Sequence, residues 1–521
     1  MMAGKDSFKE FKEHSVAEFF KKNRQMLGFS SRVRSLTTAV HEYVSNALDA
    51  CEEAAILPEV SVQVDRLGDD HYLLRVRDNG PGIPPEIVPK VFGKLLAGTK
   101  FHRMIPTRGQ QGIGAAGVTM FAQMTTGKPV HVRTSRGDGV IWEMDVMIDV
   151  KRNEPIVKNR RSYEGDWRGT EVTAEMKEVT YNRSKYSAYE YVRRTAIANP
   201  HAQITLTEPD GKRTVWYRTS FEPVHMAKEG KPHPLGITVD DLITLAHHVT
   251  KSRRVSSMLK NELEAFGDRA VKELEKLVGR AVLEKNPADL QWHEAEKIVA
   301  ALKQMKFRSP STDVLVSIGA EQIKKSLRAN LKPRYVATVT RKPKVYSGGI
   351  PFLVEVGVAM DGEVKGFELV RYANRAPLLF EQGACAITQA VQSVDWKRYG
   401  ISSLEESNTV IFVNVVSTHI PYVSAGKQAI ADVPEVVSEI RHALMEAGRR
   451  IKEYTSKVSQ LKELLAKKRI LDHYLPELST ALARILDKNP EEVRAVLSQA
   501  LEERYRRLRE LEEKIGAGAE G

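Results

Sequence analysis

Glu42 and Asn46 stand four residues apart in a segment with helical spacing, so their side chains share one face, and Asp49 adds a third polar group to that stripe. A carboxylate there can orient and deprotonate a water, and an amide oxygen beside it can ligate Mg²⁺. A solvated polar stripe has the same spacing. Asp78 continues the alternation of Tyr72, Leu74 and Val76, so it points to the face its strand buries. A carboxylate aimed inward needs a donor partner, and the N–H groups of an adenine amino group would supply one. The next residues, Asn79-Gly80-Pro81-Gly82-Ile83, bring glycines at Gly80 and Gly82 that let a ligand approach the backbone closely. An ordinary Asp-capped turn is the competing reading. Gly109-Gln110-Gln111-Gly112-Ile113-Gly114 runs directly into an apolar helical stretch that opens Ala115-Ala116. Backbone N–H groups bared by glycine at a helix N-terminus make a cradle for polyphosphate, with a hinge or packing role as the alternative. The glycine order is not the dinucleotide fingerprint, and no GxxxxGK[ST] loop occurs.

These groups must be positioned by a helix and a sheet. From Ser31 the apolar residues Val33, Leu36, Val40, Val44, Ala47, Leu48 and Cys51 recur at three- and four-residue spacing, which predicts a helix ending before Leu57-Pro58. Alternating segments predict strands at 60–67, 72–80, 129–135, 140–149 and 170–176, with Gly68-Asp69-Asp70 as a hairpin turn. A helix-rich layer over an antiparallel sheet is thus expected for residues 31–228, preceded by an arm at 1–30. Gly230-Lys231-Pro232-His233-Pro234-Leu235-Gly236 reads as a linker opening a small all-helical domain at 229–308. Strands return in a second α/β domain at 309–470 that ends in a long helix, and a charged helical segment fills 471–521. Pro476 and Pro490 are expected to interrupt those C-terminal helices. The fold class is α+β, with several domains.

A chain of 521 residues fits roughly three domains at about 150 residues each. Two cysteines exclude a disulfide framework or a four-thiolate zinc site. No apolar leader core is present, and no run approaches the roughly 20 apolar residues of a membrane span. A cytoplasmic, nucleoid-associated location without membrane contact is expected. Lys plus Arg outnumber Asp plus Glu by 79 to 67, which favours an anionic partner, nucleic acid first. Trp396-Lys397-Arg398-Tyr399 interleaves two cations with two aromatics, a pattern for phosphate contact plus stacking, or else for a strand-end anchor with Trp396 in the core. Arg341-Lys342-Pro343-Lys344 and Lys251-Ser252-Arg253-Arg254 are further basic clusters. His247 and His248 lack partners at ligand spacing and predict no metal site.

Taken in order, Glu42-x-x-x-Asn46, Asp78-x-Gly80-x-Gly82, Gly109-x-x-Gly112-x-Gly114 and Gly169-Thr170 resemble the Bergerat ATP-binding fold. That fold, an α/β sandwich, is shared by gyrase, the ninety-kilodalton heat-shock chaperone, histidine kinases and a mismatch-repair ATPase. The resemblance implies ATP and Mg²⁺ as cofactors, Glu42 as general base, Asn46 as Mg²⁺ ligand and Asp78 as the acceptor for the adenine amino group. Thr170 would support the adenine through water, and residues 109–116 would form the phosphate-holding lid. Thr99 and Lys100 fall among the implied nucleotide contacts. Ala116 stands where some relatives carry lysine, so it offers only backbone contact.

Beyond that domain the chain resembles the B subunits of archaeal type IIB DNA topoisomerases nearly end to end. The segments that carry this are 17–29, 107–129, 306–319, 337–359, 371–379, 395–401 and 419–431. The resemblance implies a helix–two-turns–helix domain in the middle and a transducer domain after it. Lys427 would reach the γ-phosphate from the transducer. Trp396, Lys397, Arg398 and Tyr399 would form a DNA-contact loop, with Arg341, Lys342 and Lys344 as further contacts. Glu164-Gly165-Asp166 imitates the opening of a cleavage-module signature but leads into Trp167-Arg168-Gly169-Thr170, so DNA cleavage is expected on a partner A subunit. Two A and two B subunits would assemble, with ATP closing the B pair around double-stranded DNA and residues 1–30 exchanged between them. Leu461, Leu464, Leu465, Ile470 and Leu471 would offer the partner a seam, unless they pack within this chain. A chaperone or repair clamp with the same nucleotide domain is the rival reading. The helical insert and the 341–344 and 396–399 clusters argue against it.

Overall fold

Ser31 starts the first helix of the structure, a computed structural model that describes residues 28–95, 106–108, 114–224, 229–249, 251–424 and 426–505. Its hydroxyl accepts the Arg34 N–H, an N-cap that satisfies one orphan donor of α1 (Arg32–Glu53). The predicted apolar stripe is buried there, from Leu36 through Val40, Val44 and Leu48 to Cys51.

Eight strands follow: β1 (Glu59–Gly68), β2 (His71–Arg77), β3 (Val130–Arg136), β4 (Val140–Asp149), β5 (Glu154–Glu164), β6 (Arg168–Lys177), β7 (Gln203–Thr207) and β8 (Arg213–Trp216). They form one sheet in the order β5-β4-β3-β6-β2-β1-β7-β8. Helices α2 (Val88–Gly93), α3 (Gly114–Thr126) and α4 (Ala188–Ala198) complete the layer with α1. Alternate strand residues such as Val60, Val62, Val64, Leu74 and Val76 are buried in the core those helices share. The sheet is mixed rather than antiparallel throughout, because β1 pairs β7 in parallel across the α4 crossover. β5 carries almost no buried residue, so no hydrophobic alternation marked it in the sequence; pairing with β4 makes it a strand.

A separate helical core is built by α5 (Val239–His248), α6 (Val255–Glu262), α7 (Asp268–Val278), α8 (Arg280–Glu284) and α9 (Trp292–Leu302). Thr238 and Asp241 close a capping box at its entrance.

The second sheet contains β9 (Tyr335–Thr340), β10 (Lys344–Tyr346), β11 (Ile350–Met360), β12 (Phe367–Ala373), β13 (Ala376–Pro377) and β14 (Thr409–Ser417). Helix α10 (Ala320–Leu331) covers one face, packing Ile323 and Leu327 against Val410 and Phe412. The opposite face packs Val354, Val356, Ile411 and Val413 against α11 (Ala386–Gln392) and α12 (Pro434–Leu486). Double coverage explains why β11 and β14 are buried almost end to end.

Helix α12 is 53 residues long and spans about 80 Å at 1.5 Å per residue. It runs straight through Pro476, contrary to the expected interruption, and through the position 470/471 taken as a domain boundary. One proline removes a single helical hydrogen bond, while the turns on each side remain bonded. The break comes instead at Asp487, in a left-handed conformation, after which Asn489 caps α13 (Pro490–Arg504) with Pro490 in its first turn.

Candidate nucleotide site

Asp78 lies just beyond the end of β2 and is buried, as its strand parity predicts. Its Oδ1 accepts two backbone N–H groups, from Gly80 at 2.8 Å and from Thr170 at 3.1 Å. The Asp78 N–H in turn donates to the Thr170 carbonyl at 2.9 Å. Burial pushes the Asp78 carboxyl up to about 6, against the lowering effect of those two N–H bonds. Its Oδ2 makes no hydrogen bond to any described residue, which leaves one acceptor uncommitted. The surroundings admit no bulk: a side chain on Gly169, whose φ is +137°, would collide with the Asp78 carbonyl. Gly82 at φ +71° would likewise drive a side chain into the Ser135 carbonyl. Asn79 fixes the turn by accepting the Glu59 N–H at 2.8 Å and donating to the Leu57 carbonyl at 3.1 Å.

Glu42 and Asn46 are partly exposed on α1, while Asp49, three residues further on, is buried. Glu42 occupies the space that a side chain on Gly114 would need, so its carboxylate lies against the first residue of α3. The helix N-terminus and the carboxylate therefore border the same space, with the Asn46 amide one turn along. Asp49 departs from the expected nucleotide-facing stripe. It pairs with the buried Arg108 guanidinium at 2.6 Å, because a helical stripe that rotates past the site carries its last member into the core. Glu52 holds the same guanidinium at 2.7 Å, Arg375 at 2.7 Å and His201 at 2.8 Å. Burial opposes the Glu52 charge, but Arg108 and Arg375 outweigh it and hold the carboxyl well below its usual range.

Lys427 comes from the second α/β domain, on a loop closed by the Tyr422–Ile430 bridge, with the lysine itself at φ +51°. Its charge is felt at His41, the neighbour of Glu42. Burial lowers the His41 imidazole from its ordinary value, the Glu42 carboxylate opposes this, and Lys427 adds to it. Thus Glu42 lies against Gly114, Asp78 is hydrogen-bonded to Gly80 and Thr170, and Lys427 of the second domain lies near enough to His41 for its charge to act there. Ala115 and Ala116 are buried in the first turn of α3. Thr99, Lys100, Gly109, Gln110, Gln111, Gly112 and Ile113 lie outside the described residues, as do residues 1–27 of the expected arm. Spacing passed over His41, Glu52 and Arg108. Arg108 directly precedes the glycine loop, the one cue the sequence offered.

Residues 32–177 match the family described as histidine kinase-, DNA gyrase B-, and HSP90-like ATPase, and residues 310–467 match topoisomerase VI B subunit, transducer. The B subunit of type 2 DNA topoisomerase 6 from Pyrococcus abyssi is 47% identical over 94% of this chain and 95% of its own length. The Pyrococcus furiosus protein of the same description is 46% identical over 100% and 98%, and that of Methanothermobacter thermautotrophicus 46% over 94% and 96%.

The chain belongs to the type 2 DNA topoisomerase 6 B-subunit family.

Within this family member the basic clusters divide. Trp396 and Tyr399 are buried: the indole N–H donates to the Val391 carbonyl at 2.9 Å, and the Tyr399 ring lies against Gly448 of α12. The expectation of stacking aromatics is therefore corrected, because both rings anchor a short 3-10 turn to the transducer core. Lys397 and Arg398 remain exposed on that turn. Arg341 is also corrected as a free phosphate contact, since it is held by Glu439 at 2.7 Å and Glu446 at 2.8 Å on α12. Lys342 and Lys344 stay exposed beside it, as do Lys251, Arg253 and Arg254 in the helical domain. Among the described residues no cluster of three or more metal-ligating side chains occurs, and no helix is long and apolar enough to cross a membrane.

Proposed function

We propose that this chain is the ATP-binding and ATP-hydrolysing subunit of a type II DNA topoisomerase. Two copies close across their nucleotide domains around a DNA duplex, and a partner A subunit makes the double-strand break through which that duplex passes. Relaxation of supercoils and decatenation follow from that passage. Two A and two B subunits form the working assembly inside the cell, and residues 1–30 are exchanged on closure. Domains run 31–228 for the nucleotide unit, 229–308 for the helix–two-turns–helix unit and 309–470 for the transducer, followed by 471–521, with that last division falling inside the continuous helix α12. Family membership supports the overall reading, and exposed Lys342, Lys344, Lys397 and Arg398 supply cations for phosphate contact.

At the site, Asp78 accepts the adenine amino group, assisted through water by Thr170, while Gly80 and Gly82 allow close approach. Residues 109–116 hold the phosphates, with Thr99 and Lys100 adding contacts. Asn46 offers its amide oxygen to Mg²⁺, which neutralises phosphate charge when bound. Glu42 orients a water and takes its proton. Lys427 reaches the γ-phosphate from the transducer, so its hold exists only before hydrolysis and ties chemistry to domain orientation.

The observation that carries this reading is the Glu42 carboxylate packed on the opening residue of α3, where phosphate would meet the helix N-terminus. Glu42→Ala is expected to keep ATP affinity within about threefold while turnover falls by about a hundredfold or more, the signature of a lost general base. Nucleotide binding and phosphate release measured on the same preparation decide it. Unchanged phosphate release would remove Glu42 from that role.

A further inference from the structure

The turn between β12 and β13 places two consecutive non-glycine residues, Asn374 and Arg375, at φ +48° and +66°. Each such residue costs about 1 kcal/mol or more, so the surroundings must hold the turn in place. Asn374 is locked to β14 by exchanging hydrogen bonds with Ser417, at 3.0 Å in each direction. The Arg375 N–H donates to Asn414 Oδ1 at 3.0 Å, and Asn414 in turn donates to buried Glu355 at 2.9 Å. The turn is thus rigidly part of the second sheet, yet it projects into the first domain.

Two grips are made there. Asn374 Nδ2 donates to the Thr107 carbonyl at 3.3 Å. The Arg375 guanidinium donates to Glu52 Oε2 at 2.7 Å, and the same carboxylate holds Arg108. Asn199 of the first domain joins both, accepting from Arg108 and donating to the Arg375 carbonyl at 3.3 Å. Thr107 and Arg108 are the residues directly before the 109–113 segment that leads into α3. Asp49 and Glu52 continue the α1 stripe that begins at Glu42 and Asn46.

All the charged groups are buried, two carboxylates against two guanidiniums, Asp49 and Glu52 against Arg108 and Arg375. Withdrawing the turn would leave the first domain with two carboxylates facing one guanidinium. A buried charge imbalance is expensive, so the docked Arg375 completes the neutralisation of Asp49 and Glu52, although Arg108 opposes its charge.

We propose that Asn374 and Arg375 are positioning residues that let the second α/β domain set the root of the phosphate-binding loop and the helix bearing Glu42. This rests on the ATP-hydrolysis reading and adds a route of control distinct from Lys427, which meets the phosphate directly. The turn acts on the protein segments that flank it.

The test uses the full chain with steady-state ATP hydrolysis, melting temperature and nucleotide-dependent crosslinking of two copies. Arg375→Gln should lower kcat about tenfold with KM within about twofold, since binding groups are untouched while the loop root loses its anchor. Arg375→Lys should recover part of the rate, because an ammonium still balances Glu52 but does not reproduce the directed guanidinium hydrogen bond to its Oε2. Asn374→Gly relieves the left-handed backbone but gives up the two Ser417 bonds as well as the Thr107 bond, so the melting temperature should fall modestly, and kcat measured well below it should fall about tenfold. A merely structural turn would lower the melting temperature in the same way but leave kcat at the wild-type value wherever the chain is folded. Should Arg375→Gln fail to fold, Asn374→Gly decides alone. Wild-type kcat, KM and crosslinking in the folded variants would overturn the proposal. Wild type that turns over no ATP, indistinguishable from Glu42→Ala, would instead overturn the ATPase reading and this one with it.

Discussion

Asp78 has one oxygen committed to two N–H donors and one left uncommitted, so in the adenine-acceptor reading its protonation state matters to a ligand. A proton would settle on the uncommitted oxygen and turn an acceptor into a donor opposite another donor. With the folded value pushed up to about 6, ATP affinity is expected to weaken as pH falls through that value. The effect on stability has the opposite sign. A raised carboxyl favours the folded state when protonated, so its contribution is lost as pH rises through about 6. Asp78→Asn should weaken ATP binding at neutral pH by about tenfold or more and flatten the pH profile, since an amide does not titrate here. Calorimetric titration at several pH values checks both, and a wild-type profile in the mutant would exclude Asp78 as the adenine acceptor. Gly114 makes a second demand at this scale. Gly114→Ala would push a methyl into the Glu42 carboxylate, and misplacing a base by about 1 Å is expected to cost about a hundredfold in kcat. Turnover that survives this substitution would show that Glu42 need not lie against α3.

The long helix α12 explains which cations are free. It uses Glu439 and Glu446 to hold Arg341, and Gly448 to admit the Tyr399 ring, so the basic 341–344 segment and the 396–399 turn are both fastened to one rod. Arg341→Ala is therefore expected to lower the melting temperature and leave the salt dependence of DNA binding unchanged. Replacing exposed Lys342, Lys344 and Lys397 together should reduce the slope of log affinity against log salt, by up to about 0.9 for each phosphate no longer neutralised. Binding isotherms at several salt concentrations separate the two classes. A shallower slope for Arg341→Ala, with none for the triple variant, would reverse the assignment.

Across the whole molecule the domains meet through real packing. Ser326 of α10 donates to the Ile197 carbonyl at 2.7 Å, Tyr372 donates to the Arg194 carbonyl at 3.0 Å, and Glu368 receives both Arg193 and Arg194. The far end of α12 is bare by comparison: Leu465 is 40% and Ile470 58% exposed, and the described residues leave both uncovered. Such a surface fits a partner, and we propose the A subunit as its occupant. Leu465→Glu combined with Ile470→Glu should abolish co-purification with that partner while ATP hydrolysis by the isolated chain stays within about twofold, the two regions being independent. Intact co-purification would place the docking surface elsewhere.

The local order of Glu42, Asn46, Asp78, Gly80, Gly82, Gly114 and Gly169-Thr170 was legible in the sequence, because helical and strand periodicity fix which side chains share a face. So were the helix from Ser31 and the return to strands after the helical stretch. Partnership between distant residues was not legible, since ion pairs leave no periodic trace. Asp49 reads as one more polar residue on a helix until Arg108 arrives to bury it, and Arg341 reads as a basic patch until α12 supplies two glutamates. The β5 strand has no hydrophobic face and exists because β4 offers it hydrogen bonds. Pro476 signals a break that flanking helix overrides. Sequence alone thus determined which chemical groups are present and on which local face. Tertiary structure decided which charges remain available, because burial and pairing depend on segments hundreds of residues apart.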